Sequence, residues 1–367
     1  MESVEVSYFS IWIYVVFGIV FFILSTRSWH HELRKEYGFY AFLMIYVFAI
    51  FRFNIGNDYP EYWNIVSTAP SDRDYFEPLS GGIINLVRLV DFPPLVFIIF
   101  SSISLFSYKY VIEKCSDDPV MSWYFYFAYP MLFFQDCSTI RQAGAMGLFF
   151  LAFYFVDQGK AWKSFGCLLI AVLFHKSALI CFLILFLPLF KRIGLKQNVV
   201  FFIMTFFAGN LIEIVVVNYL SSLPIAANFL YYLNQEFGGL NLFSYVMYFI
   251  NIINFLLYRQ LVEDNARNRY LITLVNVGLC LFNLFLIESQ TAIRFANFFM
   301  LFELLLIPSY LNILSNFIGS RHKANLMVVS VLLMLQLTMV IIYIRAYNNQ
   351  LLDLPVYVPY ETWLNHL

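Results

Sequence analysis

Asp136-Cys137-Ser138-Thr139-Ile140-Arg141-Gln142-Ala143 leads into an apolar run with no acidic residue between positions 143 and 156. An arginine at the mouth of such a run is costly unless it sits at a membrane surface or lines a wet cavity, so its position alone makes Arg141 a functional candidate. Gln142 beside it and the hydroxyls of Ser138 and Thr139 before it make the mouth polar. The nearest comparable feature is His175, followed by Lys176, inside the apolar stretch 164–190. Together these residues suggest an anion-handling site on one face of a membrane protein.

Composition supports that setting. Of the 367 residues, 61% are hydrophobic and only 12% charged, with a mean hydropathy of +0.74. These values exclude an ordinary soluble domain and describe an all-α polytopic membrane protein, read as a single integral-membrane domain over residues 1–367. The net charge of -1 identifies no partner, and nothing supports nucleic-acid binding. Five cysteines stand singly without metal-ligand spacing, so neither a disulfide nor a zinc site is expected, and Cys137 is expected to face outward. The first ten residues contain acids but no Lys or Arg, and no small-residue cleavage site follows them. The first apolar run is therefore expected to stay in the mature protein.

Because about 20 residues cross the hydrocarbon core, charged borders mark off about twelve spans. They lie near 8–26, 38–53, 93–112, 120–135, 141–157, 162–174, 177–190, 198–219, 242–258, 270–288, 294–313 and 325–344. The pair flanking His175 is short and is read as two helices. With the N-terminus outside, the inner loops carry 15 of the 22 basic residues, at least two in every loop, as the positive-inside rule requires. Both termini then lie outside. The basic residues left on the outer side are Arg52, Arg73, Arg88, Arg141, Lys176, Arg294 and Arg345. A topology signal needs only charge, whereas a planar fork that grips phosphate or carboxylate needs arginine, so this arginine-rich set suggests recognition.

Two outer loops, near 54–92 and 220–241, and a tail over 345–367 are long enough to build a site. The first carries Asp58, Glu61, Asp72, Asp74, Glu77 and Asp91 with Tyr59, Tyr62 and Trp63, and its apolar second half could lie in the membrane interface. The second carries Pro224, Tyr231, Tyr232 and Glu236, and the tail carries Asp353, Pro355, Tyr357, Pro359, Tyr360 and Trp363. No nucleotide-binding loop is present, which argues against primary active transport within this chain. Arg52 and Asp58 flank a glycine turn at Gly56, where Arg52 reads either as a snorkelling side chain or as a ligand. Arg294 repeats the helix-mouth design, and Glu303 deeper in the same run must be paired or neutral. Trp63, Tyr231, Tyr232, Tyr360 and Trp363 could stack on sugar rings, although an interfacial aromatic belt explains most aromatics of the chain.

Four stretches carry a family resemblance: Arg52 to Tyr62 with Gly56 and Asp58; Phe76-Glu77-Pro78-Leu79; Ile140-Arg141-Gln142 followed later by Phe174-His175-Lys176-Ser177-Ala178; and Arg294 at a late helix mouth. With the ending Val358-Pro359-Tyr360, the sequence resembles the EpsG-type family of membrane polysaccharide polymerases, relatives of the Wzy O-antigen polymerases. Asn57 departs from the Thr or Ser common before the aspartate.

The resemblance implies a metal-independent glycosyltransferase of the bacterial inner membrane that works at its periplasmic face. It would join undecaprenyl-diphosphate-linked oligosaccharide repeat units into O-antigen, capsule or exopolysaccharide. Such chemistry needs cations at the departing diphosphate, for which Arg141, Arg294 and Arg52 are candidates, and Gln142 and Tyr360 are further substrate-binding candidates. It also needs a proton acceptor for the attacking hydroxyl, with His175 first and Asp58 and Glu77 behind it. No cofactor and no metal are expected. The lipid bilayer, a chain-length regulator and a flippase are the candidate partners. A lipid-linked oligosaccharide flippase or transporter and an O-antigen ligase-type transferase remain alternatives.

Overall fold

The computed structural model describes residues 6–28, 33–68, 76–129, 131–215, 242–286, 288–350, 352 and 356–366. Asp72, Arg73 and Asp74, the loop 220–241 with its tyrosines, and Asp353 and Pro355 lie outside the described residues. Apart from one pair of two-residue strands, the described elements are helical, as the apolar runs require. In chain order they are α1 (Trp12–Arg27), α2 (Arg34–Phe51), β1 (Arg52–Phe53), α3 (Tyr59–Ser67), α4 (Pro78–Val90), α5 (Pro94–Cys115), α6 (Pro119–Ala128), α7 (Phe133–Ser138), α8 (Ile140–Asp157) and α9 (Ala161–Phe174). A 3-10 helix over Lys176–Phe186 follows, then α10 (Leu187–Phe190), α11 (Leu195–Val215), α12 (Leu242–Leu256), α13 (Tyr258–Asp264), α14 (Asn268–Leu284), α15 (Ser289–Met300), α16 (Glu303–Ile318), α17 (Arg321–Asn348) and β2 (Glu361–Thr362).

By length and composition, four helices among the described residues can cross a membrane: Tyr8–Arg27, Pro94–Cys115, Leu195–Ile212 and Arg321–Asn348. Two sharply bent helix pairs raise this to six if each pair counts as one span. The chain is therefore a helical membrane protein, and the twelve expected spans are not confirmed. One reason is that apolar runs of spanning length need not be single helices. The run 120–135 is divided between α6 and α7, and the run 162–190 breaks at His175, as expected. Beyond His175 the chain continues as a 3-10 helix of 11 residues. At its larger rise this segment covers about 22 Å, further than the same residues would cover as an α-helix.

The described residues fall into two compact units, one formed by Met1–Leu179 with Leu314–Leu367 and the other by Ile180–Ile313. In the first, small residues let α5 and α8 approach closely, as is common where helices meet in lipid. A Cβ added at Gly147 of α8 would come within 2.8 Å of the Ser104 Cα on α5. Next along α8, Gly144 faces the Phe174 ring at the end of α9. The tail returns to the end of α2, where β2 pairs antiparallel with β1, Arg52 opposite Thr362 and Phe53 opposite Glu361. Trp363 Nε1 donates to the Ile50 carbonyl at 2.7 Å and locks this strap. α4 buries Ser80, Ile84 and Val87 and exposes Leu86, Leu89 and Val90, the pattern of a helix lying in a membrane interface.

The second unit carries a polar seam inside apolar helices. Asn198 Nδ2 donates to Thr273 Oγ1, Asn276 donates to the Asn198 carbonyl, and Asn251 donates to Asn276. Glu303, 1% exposed, accepts a 2.7 Å hydrogen bond from Asn254 Nδ2 on α12. Buried amides and carboxyls need such partners because lipid offers none.

Candidate functional site

The site is built around Glu77. This residue is extended at the N-cap of α4, with Pro78 in the first helical position, where its fixed φ costs nothing. Ser80 Oγ in the first turn of α4 donates to the Phe174 carbonyl at 2.6 Å. That bond holds the start of α4 against the end of α9, where His175 leaves the helix in an extended conformation. Glu77, 98 residues away in sequence, is thereby brought to the histidine ring.

Both Glu77 oxygens are occupied. Oε1 accepts from His175 Nδ1 at 2.9 Å and from the Lys176 backbone N–H at 3.1 Å. Oε2 accepts from Arg141 Nη1 at 2.6 Å. Burial alone would push the carboxyl up in pKa. The hydrogen bonds from His175 and from backbone N–H groups, together with the Arg141 charge, outweigh burial and bring it down to about 2. Glu77 is therefore ionised at any physiological pH and too weak a base to take a proton from a sugar hydroxyl.

An ionised carboxylate only accepts hydrogen bonds, so the ring nitrogen facing it must carry the hydrogen. His175 is thus fixed with Nδ1–H toward Glu77, which leaves the Nε2 lone pair of the neutral ring free for another proton. Nε2 has no partner among the described residues, and the side chain is 11% exposed.

Arg141 is the second residue of α8, where the helix dipole disfavours a cation. Two partners offset that cost: Glu77, and the Tyr62 oxygen, which accepts from Arg141 Nε at 2.6 Å. The guanidinium also lies 5.1 Å from the Phe76 ring centroid. Among the described residues Nη2 has no partner, and the side chain is 25% exposed. Burial pushes the Tyr62 phenol up to about 12 despite the Arg141 charge, so it remains a neutral hydroxyl that can donate. Neither Tyr62 nor Phe76 is among the site residues expected from the sequence, although each stands in a stretch that carries the family resemblance.

Asp58 occupies the N-cap position of α3 without a side-chain cap hydrogen bond, and its carbonyl accepts from the Tyr62 N–H one turn on. Its charge acts on the Tyr62 hydroxyl. Gln142 is buried within α8 at 1% exposure. Tyr360 packs against Phe48 with tilted rings, their centroids 4.2 Å apart, and donates to the Phe48 carbonyl, as part of the tail strap. Arg294 is exposed on α15 of the second unit. Arg52 is 1% exposed. Its guanidinium bonds the Ala49 and Ile55 carbonyls and Ser101 Oγ, so a substrate at the surface does not reach it. Cys137, expected to face outward, is buried at 3% exposure because the Gly56 turn packs over its carbonyl.

Residues 35–361, nearly the whole chain, match the EpsG family. The chain belongs to the EpsG family. No curated protein and no solved structure is found to match it. All three residues of the Glu77 cluster fall inside the matched region, and EpsG membership carries a general role in polysaccharide polymerisation at a membrane.

Proposed function

We propose that this EpsG-family chain joins undecaprenyl-diphosphate-linked repeat units at the periplasmic face of the bacterial inner membrane, with the Arg141–Glu77–His175 cluster as its reacting centre. The observation that carries this reading is the pairing, on one carboxylate, of an arginine whose Nη2 and a histidine whose Nε2 have no partner among the described residues. In the proposed reaction His175 Nε2 takes the proton of the acceptor sugar hydroxyl. The hydroxyl oxygen attacks the anomeric carbon of the growing chain, and the bond from that carbon to the diphosphate oxygen breaks. The undecaprenyl diphosphate leaves with the bonding electrons. Arg141 Nη2 and the Tyr62 hydroxyl donate to the negative charge that builds on the leaving oxygens, the electrostatic contribution that preorganised donors make best. Glu77 holds the histidine tautomer and stabilises the imidazolium formed, the role a buried carboxylate plays beside a general-base histidine.

Charge stabilisation is assigned to Arg141, so the reading needs neither a metal nor a nucleotide: the donor arrives activated. The distribution of basic residues supports an outer location. The far end of α8 is followed by Lys160 and Lys163, whereas Arg141 begins it, so the cluster belongs to the face opposite the lysine-bearing loops.

The test is a gel of lipid-linked and surface glycan from cells lacking this gene, complemented with wild type, Arg141→Ala or His175→Ala at matched expression. The reading expects a ladder with wild type, collapsing to a single repeat in the deletion and in both variants. Loss of even the single repeat in the deletion would place the protein upstream of polymerisation and reject the reading.

A further inference from the structure

Arg52 and Asp136 are two deeply buried charged side chains of the first unit that the proposed reaction does not use, at 1% and 6% exposure. Each is only partly satisfied. Arg52 Nη1 is held by the Ala49 carbonyl and by Ser101 Oγ at 3.0 Å. Nη2 is buried and has no hydrogen-bond partner among the described residues. On the aspartate, Oδ2 accepts from Tyr108 and Tyr126 at 3.0 and 2.8 Å. Oδ1, like Nη2, is buried without a partner among the described residues. Leaving two opposite charges half-satisfied in an apolar interior would cost several kcal/mol, which makes such orphans rare in native proteins.

Asp136 lines a cavity of about 10 Å³ together with Ala49, Ser101, Ser104, Tyr126 and Cys137, among others. Two of these, Ala49 and Ser101, are the groups that hold Nη1, and a third carries the orphan Oδ1. The volume suits one water molecule, which needs polar partners on at least two sides. The two charges are also within interaction range of each other.

We propose that Arg52 and Asp136 form a buried charge pair closed by one water molecule, which accepts from Nη2 and donates to Oδ1, and that this pair positions Arg141 against Tyr62. The geometry explains why the pair sits there. Asp136 ends five positions before Arg141, at the corner where α7 turns into α8. Arg52 begins the turn that leads through Asp58 into α3, which carries Tyr62. The backbones of the two segments also interlock at this point. The Asn57 N–H donates to Ser138 Oγ at 3.2 Å, and a Cβ at Gly56 would come within 2.3 Å of the Cys137 carbonyl oxygen. The junction therefore sets the register between the helix that carries the arginine and the helix that carries its phenol. Arg52 is a positioning residue that acts through Arg141; it does not bind the diphosphate itself.

The structural part of this inference stands without the proposed reaction; its activity readout rests on that reading. The experiment is a double-variant cycle on the purified full chain, read by thermal unfolding midpoint and by polymer formation. Arg52→Met and Asp136→Leu each strand one buried charge and should lower the midpoint by about 10 °C. The double variant removes both charges and should return to within about 3 °C of wild type, with polymerisation within about threefold of it. If the double variant is as unstable as the two losses added together, the charges are not paired and the proposal fails. If it folds like wild type yet forms no polymer, while wild type does, Arg52 touches substrate and its positioning role is refuted. Should the single variants not accumulate, an experimental structure that resolves ordered water decides. Density within hydrogen-bond distance of both Nη2 and Oδ1 is expected, and a dry cavity overturns the assignment. Failure of the wild type itself to polymerise would instead strike the reading in the previous subsection and leave the stability cycle untouched.

Discussion

Replacing Glu77 with glutamine changes one oxygen for an NH2 group and nearly nothing else, so its consequences can be worked out from the cluster. The carboxylate accepts three hydrogen bonds, from Arg141, His175 and the Lys176 N–H. A glutamine offers one accepting oxygen and one donating nitrogen. If its oxygen keeps Arg141, its NH2 faces His175 Nδ1 and forces the ring into the tautomer that carries its hydrogen on Nε2, removing the base. If the oxygen keeps His175, the NH2 opposes Arg141 Nη1, and two donors confront each other. Either way one proposed catalytic group is lost, and polymerisation should fall by about 10²- to 10⁴-fold.

The same substitution has a separate signature in stability. The folded-state pKa of Glu77 lies below its ordinary value, falling from 4.5 to about 2, which corresponds to about 3 kcal/mol of stabilisation. Because the folded value is the lower one, this contribution is fully present above the unfolded pKa and is lost as pH falls through the folded one. Roughly 2 kcal/mol should be gone by pH 3, equivalent to a midpoint about 5 °C lower for a unit of this size. Glu77→Gln cannot lose what it never had. Thermal unfolding of detergent-solubilised wild type and variant between pH 6 and pH 3 (about the range in which carboxylates begin to titrate) should give converging midpoints. Parallel curves would refute the ion-paired carboxylate, and wild-type turnover in the variant would refute its role in orienting the histidine.

Three further outcomes follow from individual contacts. Arg141→Lys keeps the charge but gathers its three N–H donors on one nitrogen, so it loses the planar fork that reaches Tyr62 through Nε and Glu77 through Nη1 while Nη2 points elsewhere; the glycan ladder should shorten or vanish with about 100-fold lower turnover while folded protein persists. Gly56→Ala should abolish accumulation of folded protein. Its φ of +108° disfavours any side chain, and the added Cβ would meet the Cys137 carbonyl oxygen at 2.3 Å, whereas Gly82→Ala, with nothing within 4 Å, should fold like wild type. A cysteine at the exposed Asn57 should react with a membrane-impermeant thiol reagent added from the periplasmic side, and protection there would reverse the proposed orientation.

Much of the site could be read from the sequence because its members are expensive where they stand. An arginine at the start of an apolar helix and a histidine between two apolar runs both stand out in a chain with so few charges. The meeting point was harder to read. In the sequence Glu77 stands as one of three proton-acceptor candidates, and only the docking of α4 on α9 through Ser80 makes it the hub that joins residues 64 and 98 positions away. Arg52 read equally as a surface ligand or a snorkelling side chain. The tail returns from more than 300 positions away to cover the end of α2, and two-residue strands leave no periodic trace of such a closure. The twelve expected spans are not confirmed for a related reason. Hydropathy marks apolar runs, but a run such as 120–135 can break into two short helices without any change in composition.

The central claim is that this chain alone forms the glycosidic bond between lipid-linked repeats. The direct measurement is reconstitution of the purified protein in liposomes containing only undecaprenyl-diphosphate-linked repeat units, with polymer length and released undecaprenyl diphosphate followed together. The account predicts one lipid diphosphate released for each new linkage with wild type, and neither product with His175→Ala. Transfer of intact repeat units across the bilayer with no bond formed and no diphosphate released would contradict it.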